Sequence, residues 1–556
     1  MEKRALLAFV LSLVVLLFWE YYFGLIRGPE TQKQPPPVSA PGPADKQPKT
    51  PSPALPPPLV PESLPQERSL RLDQHFEKWT VDGPLYTAQI LAPGARINSL
   101  LLKGFRQTVQ PDSPLVEMIS SQTSGYLPLS IDLVHHKAWQ LSTSPYLSQA
   151  PQELLLSQNA PPKAIAYSYE IPSQVRLTKT FAFRPESYAV DLEIQLENLS
   201  PDQLVDQLGV SLFFEPFSDA KEESSYNKSQ LASFDKNSLN LYEVSDLSKK
   251  ELLLKPPVSW IGYGNNYFLQ ALVPLEERGY ELISRVLDSN KGLLQVVYLT
   301  EPFQLDGGQG KTFKLRLYTG PKELDYLHEA GHQLVDAVDY GWFWFLAKPA
   351  LYVLKWLYSY VHNYGVAIIL LTIFIKIIFW PLTHKSIKSM QAMKKIQPKI
   401  TQVREKYKDD REKLNQELMA LYKTYKVNPM GGCLPMVLQI PVFIALYRML
   451  NTAVELRHEP FIWWINDLTA PDRLNIGINI PYLGGIPVLT ILMGISMFVQ
   501  QKMTPSTGDP RQEQIMLLMP VIFTVFFINF PAGLVLYWLV NNILSIVQQY
   551  WINRST

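Results

Sequence analysis

One cysteine, Cys433, stands in 556 residues, so no intrachain disulfide can form and any extracytoplasmic part must fold on its core alone. A lone thiol inside an apolar run is most simply a small buried hydrophobe. An excess of charge of either sign is missing too. Lys and Arg number 51 against 50 Asp and Glu, a formal net charge of +1 that says nothing about partners. Carboxylates are missing from the long apolar runs near the C-terminus, and without an intramembrane Asp or Glu there is no relay for a proton-coupled pump.

What is present is organised around Tyr364 to Leu382, YGVAIILLTIFIKIIFWPL, with one cation, Lys376, well inside it. About 20 apolar residues cross a hydrocarbon core. A Lys at mid-helix costs roughly 2.5 to 3.5 kcal/mol on insertion scales, so something must hold the charge. Either the side chain snorkels to the nearer helix end, about 9 Å away, or it faces a water-filled groove made with other membrane helices.

The rest of the chain divides by composition. Residues 1–24 begin with Lys3 and Arg4 and continue into an apolar stretch that ends in Phe18, Trp19, Tyr21, Tyr22 and Phe23. Bulky aromatics where a cleavage site would need small residues predict an uncleaved anchor with its N-terminus in the cytoplasm. Residues 25–67 are Pro-rich, with PPP at Pro35 to Pro37 and at Pro56 to Pro58, and read as an extended tether. Residues 68–320 change to period two. In the clearest run, Val190, Leu192, Ile194 and Leu196 alternate with Asp191, Glu193, Gln195 and Glu197, which predicts an extracytoplasmic antiparallel β-sandwich.

Residues 321–361 read as a helical connector followed by an aromatic, amphipathic helix in the membrane interface. The first core span occupies 362–382. Residues 383–430 form a helical hairpin, with stripes Ile396, Ile400, Val403, Tyr407 and Leu414, Leu418, Leu421, Tyr425 on either side of Asp409-Asp410. Between Thr383 and Asn428 twelve basic residues face five acidic ones, about +7, which places the hairpin in the cytoplasm by the positive-inside rule. That charge suits a solvated face, lipid headgroups, or an RNA-rich partner such as a ribosome. Four further spans fill 431–556: Gly432 to Leu450, Leu483 to Gln501, Ile515 to Phe530, and Leu534 to about Trp551. The fold class is thus a polytopic α-helical membrane protein of six spans, five forming the core, with both termini cytoplasmic.

Two short motifs carry chemistry elsewhere. GGQGKT, Gly307 to Thr312, lacks the first glycine of a phosphate loop and leads into a strand, which argues against nucleotide binding. His328-Glu329-Ala330-Gly331-His332 is a literal HExxH in a segment that reads as helical from Pro321 to about Val338. On one helix face the two imidazoles could bind zinc, with Glu329 as base. No third ligand is evident, and Leu324, Leu327 and Leu334 give the same segment an ordinary amphipathic role. A membrane-anchored zinc metalloprotease is the alternative function on this reading. Polar residues also recur at membrane depth, at Thr372, Lys376, Gln439, Asn529, Asn541 and Asn542. Each could bond helix to helix, and together they suggest a wet concavity.

The runs VDYGWFWF (Val338 to Phe345), KIIFWPLT, KVNPMGGCLPMVLQIPVFIALY (Lys426 to Tyr447), QKM (Gln501 to Met503) and LMPVIFTVFFINFPAGLVLYW (Leu518 to Trp538) occur in order. On them the chain resembles the YidC/Oxa/Alb insertase family in its Gram-negative form. The resemblance is specific from Gly341 to Trp551, looser over the β domain and weakest in the linker. It implies an insertase with no catalytic residues and no cofactor or metal, which moves helices of nascent membrane proteins into the inner membrane. Such a protein works alone or beside the translocon components SecYEG and SecDF. It also implies a hydrophilic groove open to cytoplasm and lipid, with one cation in the first core span. That cation is usually Arg in the family and is Lys376 here. Thr372, Gln439, Tyr537 and Trp538 fall on other groove positions. Many relatives end in a longer basic tail, so ribosome contact here would rest on cytoplasmic loops. Recognition of a specific nucleic-acid sequence is not implied.

Overall fold

The computed structural model describes residues 76–554 except 121–124, 218–226, 277–279, 409, 426, 428–433, 478–482 and 504–509. The anchor at 1–24, the linker at 25–67 and Cys433 lie outside the described residues.

The alternation at Ala189 to Glu197 folds as the strand Ala189–Asn198, with Val190, Leu192, Ile194 and Leu196 buried and Glu193 and Gln195 exposed. It pairs with Val175–Phe183 on one side and Gly310–Pro321 on the other, inside an eight-stranded sheet. A five-stranded sheet stacks on this one. Phe214 lies 5.7 Å from Tyr263 between ring centroids, and the Tyr298 hydroxyl donates to the Leu272 carbonyl at 2.5 Å. A second five-stranded sheet meets the Lys163–Ile171 edge, where Trp79 stands edge-on to Tyr167 at 5.0 Å. Period two therefore gives each strand an apolar side to bury against a facing layer. The pairing is not wholly antiparallel, as Thr80–Asp82 runs parallel to Glu153–Leu155. The long excursion between those segments returns the chain in the same direction, as a crossover must.

One inward position of Val175–Phe183 holds a cation. Lys179 is fully buried, and its ammonium donates to the carbonyls of Gly94, Ala95 and Leu129 at 2.7–2.9 Å. Three carbonyl dipoles stand where water is lost around the charge.

The segment from Pro321 to Val338 is not one helix. Helix α1, Leu324–Ala330, ends inside the HEAGH motif, because Gly331, His332 and Gln333 all take positive φ, at 76°, 50° and 61°. The Arg316 guanidinium takes the Ala330 carbonyl at 2.8 Å, and a separate 3-10 turn follows at Leu334–Ala337. His328 and His332 therefore do not share a helical face, and the geometry on which a zinc site depended is lost.

Helix α2, Trp344–Val361, buries Ala347, Leu351 and Leu354 and exposes Trp344, Phe345, Tyr352, Trp356 and Tyr360. His362 closes it in the left-handed conformation, and the Asn363 side chain caps the next helix by accepting from the Val366 N–H at 3.0 Å. That helix, α3, runs unbroken from Tyr364 to Lys406. The sequence closes the span at Leu382, but only composition changes there, and a helical backbone with Pro381 accommodated inside it continues. Gly365 near its start faces Phe461 so closely that a Cβ would lie 2.0 Å from the ring. Helix α4, Arg411–Thr424, is capped by Asp410 and folds back on α3. Ile396, Ile400 and Val427 pack there with Leu418 and Leu421.

Helices α5 (Leu434–Thr452), α6 (Val488–Met503), α7 (Pro510–Phe527) and α8 (Ala532–Arg554) complete the bundle. Among the described residues α3 alone is long and apolar enough to cross a membrane by length and composition, while Val488–Met503 and Met516–Phe527 are shorter apolar helices. The β domain docks on the helical part through Arg457. Its guanidinium donates to the carbonyls of Arg106 and Gln107 at 2.7 and 3.3 Å and lies 5.2 Å from the Phe268 ring. Beside it Lys355 meets Glu323, Asp325 and Glu455 at 3.0–3.4 Å. Burial pushes the Glu455 carboxyl above its ordinary range, with Lys355 pulling the other way.

Candidate functional site

A small recess opens between α3, α5 and α8. Lys376 and Thr383 come to it from α3, Gln439 from α5 and Asn541 from α8, with Ile375, Phe379 and Val442 as apolar wall. It lies on the half of the apolar part of α3 nearer the basic hairpin.

The Lys376 side chain is half-buried and turned toward α8, where its ammonium donates to the Ser545 hydroxyl at 2.7 Å. Ser545 in turn donates to the Asn541 carbonyl one turn back, at 2.8 Å. Two further rungs join the same helices. The Gln548 amide donates to Thr383 at 2.8 Å, and Gln391 donates to Asn553 at 2.7 Å.

The predicted groove residues separate. Lys376 and Gln439 share the recess. Tyr537, one turn from Asn541 on α8, is buried, and its hydroxyl has no hydrogen-bond partner among the described residues. Thr372, one turn above Lys376, is buried and donates to the Ile368 carbonyl of its own helix at 2.7 Å. Trp538 leaves the recess for an aromatic cluster, 4.6 Å from Phe443 and 4.9 Å from Phe527. Of the other polar residues, Asn541 lines the recess. Asn542 donates to Ser496 on α6 at 3.0 Å, and Asn529 accepts from Arg473 at 2.8 Å. Ser545 and Gln548 are new. Their spacing from Asn541, i+4 and i+7, marks one polar stripe on α8 that helical periodicity alone could have shown.

Around this polar centre the helices turn apolar side chains outward. Phe374, Ile377 and Ile378 on α3, Val521, Ile522 and Val525 on α7, and Val547 on α8 are each at least half exposed. Such continuous apolar surface is not left to water in a soluble monomer. The site thus has one ammonium, two amides and hydroxyls inside a bundle whose outer face suits lipid. It has the means to hold a polar or acidic segment reversibly.

Comparison with known proteins agrees with this architecture. Residues 356–556 match the family described as 60Kd inner membrane protein, and residues 78–353 match the YidC periplasmic domain. The membrane protein insertase YidC of Syntrophobacter fumaroxidans is 63% identical over 556 residues, covering 100% of both chains. That of Syntrophus aciditrophicus is 40% identical over 565 residues, again covering 100% of both. The crystal structure of an active YidC insertase with its first transmembrane domain resolved covers 86% of this chain and 93% of its own, at 17% identity and a TM-score of 0.36. Nothing in these relatives supports the protease alternative, and the broken HEAGH segment removes its basis. With both parts matched and full-length relatives at this identity, the chain belongs to the YidC family of membrane protein insertases.

Proposed function

We propose that this chain carries transmembrane helices of nascent proteins from the cytoplasm into the inner membrane through the recess between α3, α5 and α8. The observation that carries the reading is an ammonium held at that recess within a bundle whose outward faces are apolar. A substrate helix gains roughly 0.3 to 0.6 kcal/mol for each Leu, Ile, Phe or Val that enters lipid. The obstacle is its polar tail. A wet recess shortens the apolar path, and Lys376 attracts an acidic tail on the way. Across an outside-positive membrane each acidic charge gains about 2.3 kcal/mol per 100 mV. No nucleotide is needed.

In this reading the chain has six spans and both termini in the cytoplasm, with the β domain in the periplasm. The excess of basic residues between Thr383 and Asn428 supports that orientation. The same basic hairpin is the ribosome-facing surface, and SecYEG and SecDF are partners for larger substrates. Lys376 and Gln439 are the polar contacts of the groove and Tyr537 is part of its wall, while Thr372 and Trp538 brace the helices behind it.

The test places the purified chain alone in liposomes and adds a small acidic-tailed membrane protein without nucleotide. Protease protection of the tail, lost in Lys376→Ala, is the expected result. An unprotected tail with the unsubstituted chain would end the claim of self-sufficient insertion.

A further inference from the structure

Lys376 does not choose its own direction. Ser545 donates its only proton to the Asn541 carbonyl at 2.8 Å, which leaves the hydroxyl oxygen as an acceptor, and the Lys376 ammonium fills it at 2.7 Å. The oxygen thus has a fixed rotor and a fixed role. An ammonium carries three donors, so one is spent on Ser545 and two remain for the recess that Gln439 and Asn541 also line. No carboxylate among the described residues forms an ion pair with Lys376, so those two donors and the full charge stay available to a passing segment.

We propose that Ser545 is a positioning residue for Lys376, and that its hydroxyl sets the preference of the recess for acidic over neutral substrate tails. This rests on the insertase reading above. Without the hydroxyl the four-carbon side chain regains its rotamers. The charge then spreads over positions from which it meets a tail carboxylate less often. A hydrogen bond to a charged group in a partly desolvated site is strong enough for its loss to be measured as a change in selection.

The experiment compares tail protection in liposomes for two substrates that differ only in tail charge, one acidic and one neutral, and reads the acidic-to-neutral ratio. Ser545→Thr and Ser545→Val form the decisive pair, since they match in shape and differ by one hydroxyl. We expect the ratio to fall roughly 3- to 10-fold in Ser545→Val and Ser545→Ala, and to be held in Ser545→Thr. A ratio unchanged in Ser545→Val or Ser545→Ala, or one that falls alike in the Thr and Val variants, overturns the assignment. Lys376→Ala in the same assay separates the two claims. If it leaves the ratio unchanged, the role of charge in the groove fails. If it lowers the ratio while Ser545→Val does not, only the positioning role fails.

Discussion

A lysine ammonium is a compact, strongly hydrated charge, whereas a guanidinium offers a rigid fork. With Lys376 anchored on Ser545 by one donor, the recess supplies a point charge and no bidentate clamp. Lys376→Arg should therefore keep most insertion of an acidic-tailed substrate, while Lys376→Glu should lose roughly tenfold or more, since a repulsive contact replaces an attractive one in a site drier than water. Equal rates of tail protection for the two variants would remove electrostatics from the mechanism. A second residue titrates outside the membrane. Burial alone would raise the Asp191 carboxyl, but the Arg316 hydrogen bond and charge, helped by Arg184, hold it below the ordinary 3.8. A depressed folded value means that the contribution is present at neutral pH and is lost as pH falls through the folded pKa, below 3.8. Asp191→Asn should cost about 1–2 kcal/mol at pH 7, and denaturant titrations at falling pH should show that gap closing. A gap independent of pH would mean that the pair contributes through packing alone. Lys376 and Gln439 were legible because a charge or an amide stands out in an apolar run. Ser545 and Lys179 were not, since a serine hydroxyl acquires its role only from a rotamer, and Lys179 occupies an apolar slot of a strand that three distant carbonyls turn polar.

At the scale of elements, periodicity located the helices and strands, and failed where their ends are set from a distance. The sequence starts the third core span at Leu483, yet α6 begins at Val488 because Asp472, from well upstream, accepts from the N–H groups of Leu489 and Thr490 at 2.5 and 3.3 Å. Trp464 donates to the same carboxylate at 2.6 Å. The neighbouring Arg473 donates to the Ile528 carbonyl and the Asn529 side chain, both at 2.8 Å, just past the end of α7. Adjacent residues of opposite charge thus sit at the two helix ends whose dipoles suit them. Asp472→Ala should cost about 1–2 kcal/mol, measured as a lower melting temperature in detergent by circular dichroism. An unchanged melting curve would show that those N–H groups have another acceptor. The break in HEAGH has the same kind of cause, since Arg316 reaches Ala330 from a strand.

At the scale of the molecule, the division into a β-rich part and a helical part was legible in composition, while the joint between them was not. Arg457 is nine-tenths buried, and from the helical part it donates to the carbonyl of Arg106, the last residue of the strand Arg96–Arg106, and to that of Gln107 just beyond it. Arg457→Ala leaves two carbonyls without a charged donor. Amide exchange should rise roughly tenfold or more around residues 104–108 and 453–459 while the central strands keep their protection. Uniform protection across the joint would place the docking strength elsewhere, in the Lys355 cluster. The unbroken helix α3 has the largest reach. Its 43 residues extend about 64 Å at 1.5 Å per residue, roughly twice the hydrocarbon thickness of about 30 Å. With its apolar half gripped by the bundle, the other half is a lever arm and the bilayer surface its fulcrum. Between the basic hairpin and Lys376 that arm is tied to α8 twice, at Gln391–Asn553 and at Thr383–Gln548, so a load on the hairpin meets those two rungs before it meets the bond to Ser545.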